Sequence, residues 1–250
     1  METHERADMI ADLVEKYKQG GQLEQIKREA KAVFAFARPA DIAAAERELG
    51  ERGLGSADLG EVHRLHLDNL RFELEGLRAA VEPWHPLRTM VEEHEEILRN
   101  LERLEALTGR VRQDGSLEAG VDRELAEVAA NLLAAEPHHA REEAVIFPEL
   151  ARRGLNQAIA AMESEHEELR AKKRELQALA GQAAAMPFAE FRRTLGELAE
   201  FIVFNLGDHI YKENHIIYPA ALRLVGDKEL WPQLKKRCDE IGYCRFRPLH

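Results

Sequence analysis

The chain has 250 residues, of which 45% are hydrophobic and 32% charged, and Ala, Leu, Glu and Arg dominate, so an all-α protein with a full-sized core is expected. A formal net charge of -11 argues against a nucleic-acid partner, because non-specific affinity for phosphate backbones comes from Lys and Arg displacing counterions. No apolar stretch approaches the roughly 20 residues that cross a bilayer, Met1 to Asp8 is charged with no apolar run after it, and Cys238 and Cys244 form no disulfide framework; no membrane contact and a cytoplasmic location are expected.

The first 80 positions read as a small helical domain. Apolar residues recur at three- and four-residue spacing in Ile10, Leu13, Val14 and Tyr17, then in Ile26, Ala30, Val33, Phe34 and Ala37. Gly20-Gly21 ends the first helix, and Arg38-Pro39 ends the second and opens a third. The stretch Gly53 to Ser56 precedes a fourth, which starts near Asp58 and carries Leu65, Leu70, Phe72 and Leu77. The prolines of Glu82-Pro83-Trp84-His85-Pro86 cannot sit inside a helix, so residues 1–80 and 84–250 are read as two domains. The N-terminal one leaves room for a homodimer contact or a signalling partner.

Four long helical patterns follow, at roughly 86–108, 119–153, 156–181 and 187–225. The breaks between them are Thr108-Gly109 with Asp114-Gly115-Ser116, Arg153-Gly154, and Gly181 to Pro187. Short connections between long helices predict an up-down-up-down four-helix bundle. Pro137 and Pro148 lie within the second pattern, which should be kinked or divided there. A last segment, Lys228 to Cys238, carries Leu230, Trp231 and Leu234 and is expected to lie as a lid on one end.

Each long pattern carries a histidine with acidic company: His94, His138, His166 and His209. Residues four apart share a helix face, so His138 with Glu142 and His209 with Glu213 can each act as a two-pronged ligand set. A bare H-x-x-x-E is weak in so Glu-rich a chain. The longer pattern is specific, since His138-x-x-x-Glu142 continues to Phe147-Pro148 and His209-x-x-x-Glu213 to Tyr218-Pro219 at identical spacing. This is an internal repeat: two helix pairs facing each other across a pseudo-twofold axis, each supplying one His and one carboxylate.

On these motifs the segment from Trp84 to Cys244 resembles the hemerythrin-like, or HHE cation-binding, family, in which the four helices give His, H-x-x-x-E, His and H-x-x-x-E in turn. The resemblance implies His94, His138, Glu142, His166, His209 and Glu213 as metal ligands. It also implies two iron ions, in an oxo- or hydroxo-bridged centre with both glutamates bridging. The H-x-x-x-E-E-x-x-x-F-P run is similar to that of bacterial di-iron members linked to repair of iron centres under nitrosative stress. The region before it, with Gly53-Leu54-Gly55 leading to Leu65-His66, resembles a small helical domain of unknown function that often precedes an HHE domain.

Oxygen-carrying hemerythrins have a second His four residues before the third-helix ligand, where this chain has Met162. The iron at His166 is therefore the one expected to be open, with Glu163 a candidate substitute. For Glu143, Glu163, Glu165, His139 and His215 the expected functional role is hydrogen bonding behind the ligands. His85 reads as a cap or channel residue, and His63 with His66 as a solvated pair that could bind a metal. The leading reading is a di-iron protein that binds O2 or NO for sensing, scavenging or iron handling in oxidative or nitrosative stress. The alternatives are a di-iron oxidoreductase acting on peroxide, O2 or NO, and a structural bundle without metal.

Overall fold

The computed structural model describes residues 3–20, 22, 25, 26, 29, 33, 39–53, 76–79, 81–113, 115–226 and 229–245. These residues form helices and turns with no strand among them. The expected fourth N-terminal helix, with His63 and His66, lies almost wholly outside the described residues, as does most of the second. What is described there is α1 (Thr3–Lys18) packed on α2 (Pro39–Glu51). Ala7, Ile10, Val14, Ala45 and Leu49 bury between them, with Phe204 of the bundle touching this cluster. Arg52 closes the end of the pair on Asp12 at 2.7 Å.

The bundle is built from α3 (Pro86–Gln113), α4 (Val121–Leu133), α7 (Asn156–Gln182) and α8 (Phe188–Lys212). Neighbours run α3 to α4, α4 to α7, α7 to α8 and α8 back to α3, the ring that short connections between consecutive antiparallel helices produce. α3 does not stop at Thr108-Gly109. Leu104, Leu107, Thr108 and Val111 continue its buried stripe. Gly109 faces open space and costs only its propensity, about 1 kcal/mol. The turn after Ala151 does need its glycine: Gly154 sits at φ 96°, where a side chain would be strained, and it lets the Leu155 N–H reach back to the Leu150 carbonyl at 3.2 Å.

The second pattern is divided, as its prolines require. After α4 come α5 (Glu136–Arg141), a π-helical turn Glu142–Ile146, and α6 (Phe147–Ala151). Pro148 has no N–H to give the carbonyl four residues back, at Ala144, and that carbonyl instead accepts from Arg237. The fourth pattern repeats the device: α8, a π turn Glu213–Ile217, then α9 (Tyr218–Leu224) with Pro219 in its first turn. The sequence repeat is thus a repeated shape, with each wide turn opening on a motif glutamate. The spacing contained no signal for that widening beyond the proline itself.

The last helix, α10 (Leu230–Ile241), lies across α3, α5 and the first π turn, burying Trp231, Leu234 and Cys238. His85 packs at a tilt against Trp231 with ring centroids 4.1 Å apart, and its Nδ1 accepts the Leu87 N–H at 3.2 Å at the start of α3. No described helix is long and apolar enough to cross a membrane. Cys238 and Cys244 are both buried and unbridged, and burial pushes their thiols up to about 11 and about 12. Both are expected to react with a thiol reagent at pH 8 at least about a hundredfold more slowly in the native protein than in denaturant. Equal labelling rates in the two states would show that α10 and the segment after it are not seated.

Candidate metal centre

The six motif residues arrive from six elements and meet in the middle of the bundle. His94 comes from α3, His138 from α5, His166 from α7 and His209 from α8, while Glu142 and Glu213 open the two π turns. All six are 1% exposed or less. They fall into two groups whose donor atoms lie within 4.8 Å of one another: Glu142, His166, His209 and Glu213, and His94, His138 and Glu213. Glu213 is common to both. Its Oε1 is 2.8 Å from His209 Nε2, and its Oε2 is 2.9 Å from His94 Nε2.

Proximity here is not hydrogen bonding. Glu142 Oε2, His166 Nε2, His209 Nε2 and both oxygens of Glu213 are buried without a hydrogen-bond partner. Leaving a buried polar atom unpaired costs about 1–3 kcal/mol, so five converging on one place call for something that accepts lone pairs. Metal cations fit this donor set. The carboxylates also favour positive charge: burial pushes the His166 imidazole down, yet the nearby carboxylates of Glu142, Glu143 and Glu213 outweigh it and lift the pKa to about 11.

Each imidazole is held from behind, with Nδ1 donating to a fixed acceptor. His94 donates to Asn214 Oδ1 at 3.1 Å, His138 to Glu93 Oε2 at 3.0 Å, His166 to Glu143 Oε1 at 2.7 Å and His209 to Glu165 Oε2 at 2.8 Å. That arrangement fixes the tautomer and leaves every Nε2 lone pair facing the centre. The carboxylates are themselves anchored by cations: Glu93 by Arg141, Glu143 by Arg170 at 2.9 Å and Glu165 by Lys212 at 2.6 Å. Burial pushes Glu93 and Glu143 up, but His138 with Arg141, and His166 with Arg170, bring each carboxyl down to about 2.

Several expectations change here. Glu142 groups with His166 and His209, but its Oε2 lies 3.4 Å from His166 Nε2 and 3.6 Å from His138 Nε2, so it too faces imidazoles of both groups, through one oxygen where Glu213 uses two. Met162 is buried in the main apolar cluster. Glu163 is exposed on α7 and does not join the centre. His215 stacks on Tyr211 and donates to its carbonyl at 2.9 Å, outside both groups. His139 is buried and stacks on His166 with centroids 4.1 Å apart; burial, then Lys173, holds it well below its usual value, so it is a neutral ring walling the centre.

Sequence reasoning missed Glu93, Arg141, Asn214 and Tyr218. Glu93 and Asn214 each adjoin a motif residue and are turned about 100° from its face, toward the neighbouring helix, a signal that was available for them. The Tyr218 hydroxyl donates to Glu142 Oε1 at 2.8 Å, which identity at the repeat's aromatic position alone could not show.

The sequence model of the Hemerythrin HHE cation binding domain matches residues 85–221, which include all six convergent side chains. No curated protein matches the chain. That one match covers more than half of the chain and the whole buried His and Glu cluster, and the protein belongs to the hemerythrin HHE cation-binding family.

Proposed function

We propose that the chain is a cytoplasmic non-haem di-iron protein that binds O2 or NO, serving sensing, scavenging or iron handling under oxidative or nitrosative stress. The observation that carries this reading is Glu213, a buried carboxylate with both oxygens unpaired, each facing imidazole nitrogens of a different group. One anion shared between two groups suits a pair of cations. Imidazole with carboxylate, and no thiolate among the donors, suits iron or manganese better than a closed zinc site. Bound iron supplies redox chemistry and coordination positions for a small molecule. The protein's own contribution is to fix the imidazole tautomers through Glu93, Glu143, Glu165 and Asn214. It also walls the centre with buried Phe147, Tyr218 and His139.

A second reading, a di-iron oxidoreductase using peroxide, O2 or NO, is favoured by the buried Tyr218 hydroxyl, which lies 3.3 Å from His138 Nε2 and puts a phenol O–H beside the donors. One set of measurements decides. Protein purified with iron available is expected to hold about two iron ions per chain and, when ferric, to absorb in the near-ultraviolet by charge transfer from a bridging oxygen. Stopped-flow mixing of the reduced protein with O2 or NO then reads adduct formation. Consumption of many equivalents of H2O2 or NO moves the assignment to the enzyme, and one tightly held zinc per chain overturns the di-iron reading.

A further inference from the structure

The internal repeat pairs buried positions in the two halves of the bundle. In the helices that give one histidine each, His94, Ile97, Leu101 and Leu104 of α3 match His166, Leu169, Lys173 and Leu176 of α7, and all eight are buried. In the H-x-x-x-E helices, Ile210 of α8 matches His139 of α5, the residue after the motif histidine in each case. The pseudo-twofold therefore carries Leu101 and Ile210, between α3 and α8, onto Lys173 and His139, between α7 and α5. Two aliphatic side chains fill one of these equivalent places, and an ammonium and an imidazole fill the other at the same depth, each 2% exposed or less.

Neither polar group is satisfied by the fold. His139 Nδ1 is buried without a hydrogen bond, Glu136 Oε2 lying 3.8 Å away. Among the described residues the Lys173 ammonium has no hydrogen-bond acceptor and no carboxylate at ion-pair distance. Glu136 and Glu213 act on it only from farther off, and Glu136 is itself held by Arg170 at 2.7 Å. Of the charges around His139, Lys173 acts most strongly, ahead of His166, whose ring is stacked 4.1 Å away, so the two unsatisfied groups are neighbours. Burial pushes Lys173 down to about 8, and it keeps its charge at neutral pH. A dry ammonium without an acceptor destabilises a fold, and Leu101 at the matching position shows that the packing does not require it.

We propose that Lys173 and His139 form an internal site for a small monovalent inorganic anion, of halide or nitrite size, between α5 and α7. The ammonium supplies the charge and up to three N–H donors, and the imidazole supplies one more from Nδ1. Neither residue belongs to the two metal-donor groups, so the site goes beyond the di-iron reading and does not depend on it.

The test uses the full-length chain freed of metal by a chelator, so that no anion can bind to iron. Melting temperatures are followed against sodium bromide and sodium nitrite, with sodium gluconate, too large for a bundle core, holding the ionic strength constant. The wild type is expected to melt higher with either small anion, along the curve of one saturable site. Lys173→Leu installs the residue that the other half of the repeat uses. It is expected to melt above the wild type in gluconate, because the unpaired charge is gone, and to bind the small anions at least about tenfold more weakly. Lys173→Met is the second variant, a flexible side chain for the case in which Leu packs badly. A response of equal size in the wild type and both variants is a general salt effect and overturns the site, as does no response in the wild type. Melting of both variants below the wild type in gluconate means that the fold already satisfies the ammonium, and overturns it too. Crystals grown in bromide place the ion: an anomalous peak between Lys173 Nζ and His139 Nδ1 supports the site, and no peak there overturns it.

Discussion

Glu213→Ala is expected to lower the iron content of the protein from about two per chain to less than about 0.5, while Glu142→Ala retains at least one. The difference follows from placement. Glu213 faces both donor groups, so its loss leaves three donors in one and two in the other, and it removes the anion between two cations. Like charges a few Å apart repel strongly at the low effective dielectric of a bundle interior, and the shared carboxylate offsets that repulsion. Glu142 offers only Oε2, its Oε1 being taken by the Tyr218 hydroxyl, and without it three donors remain with His166 and three with His94. Elemental analysis of the two purified variants, with circular dichroism to establish equal helix content, reads the outcome. Two metals retained by Glu213→Ala would show that the donors lie elsewhere.

How much of this was legible in the sequence depends on the range of the interaction that set each feature. The four bundle helices followed from apolar spacing and from prolines and glycines, all local signals. The end of α3 was misplaced because a glycine facing open space weakens a helix without stopping it, and the buried stripe through Val111 decides. The repeat of H-x-x-x-E with an aromatic-proline pair drew attention to the six side chains that converge, because the fold copies one local shape twice. What the repeat could not convey is its asymmetry. Pseudo-twofold reasoning treated Glu142 and Glu213 alike, and a hydroxyl reaching from residue 218 to residue 142 separates them. Helix-face arithmetic did better on Glu143 and Glu165, which turn away from the centre and hold the imidazoles of neighbouring helices from behind.

The second large effect is expected at Glu93, one residue before a motif histidine and facing a different neighbour. Its carboxylate is 1% exposed and meets three groups: His138 Nδ1 at 3.0 Å, the Arg141 guanidinium, and the Cys244 backbone N–H at 3.1 Å. Arg141 is itself 1% exposed, and its remaining contacts are the Pro137 carbonyl at 3.0 Å and the face of Tyr243 at 4.7 Å. Glu93→Ala therefore strands a buried guanidinium without a carboxylate, a change that costs about 3–5 kcal/mol. For a chain of this size that lowers the melting temperature by about 10 °C. Adding Arg141→Met removes the stranded charge, so the double variant should recover most of the loss even though it has one ion pair fewer than the wild type. Metal binding should not recover with it, because His138 still lacks the acceptor that fixes its tautomer, and affinity at the three-donor group stays about 10–100-fold weaker. The C-terminal segment gives an independent readout, since Cys244 is anchored to Glu93 through its backbone: its thiol should label rapidly in Glu93→Ala while the buried Cys238 on α10 stays slow. Thermal melts of the metal-free single and double variants, metal titration and thiol labelling together separate a stabilising ion pair from a group that orients a ligand. Wild-type stability and metal affinity in Glu93→Ala would mean that neither description holds.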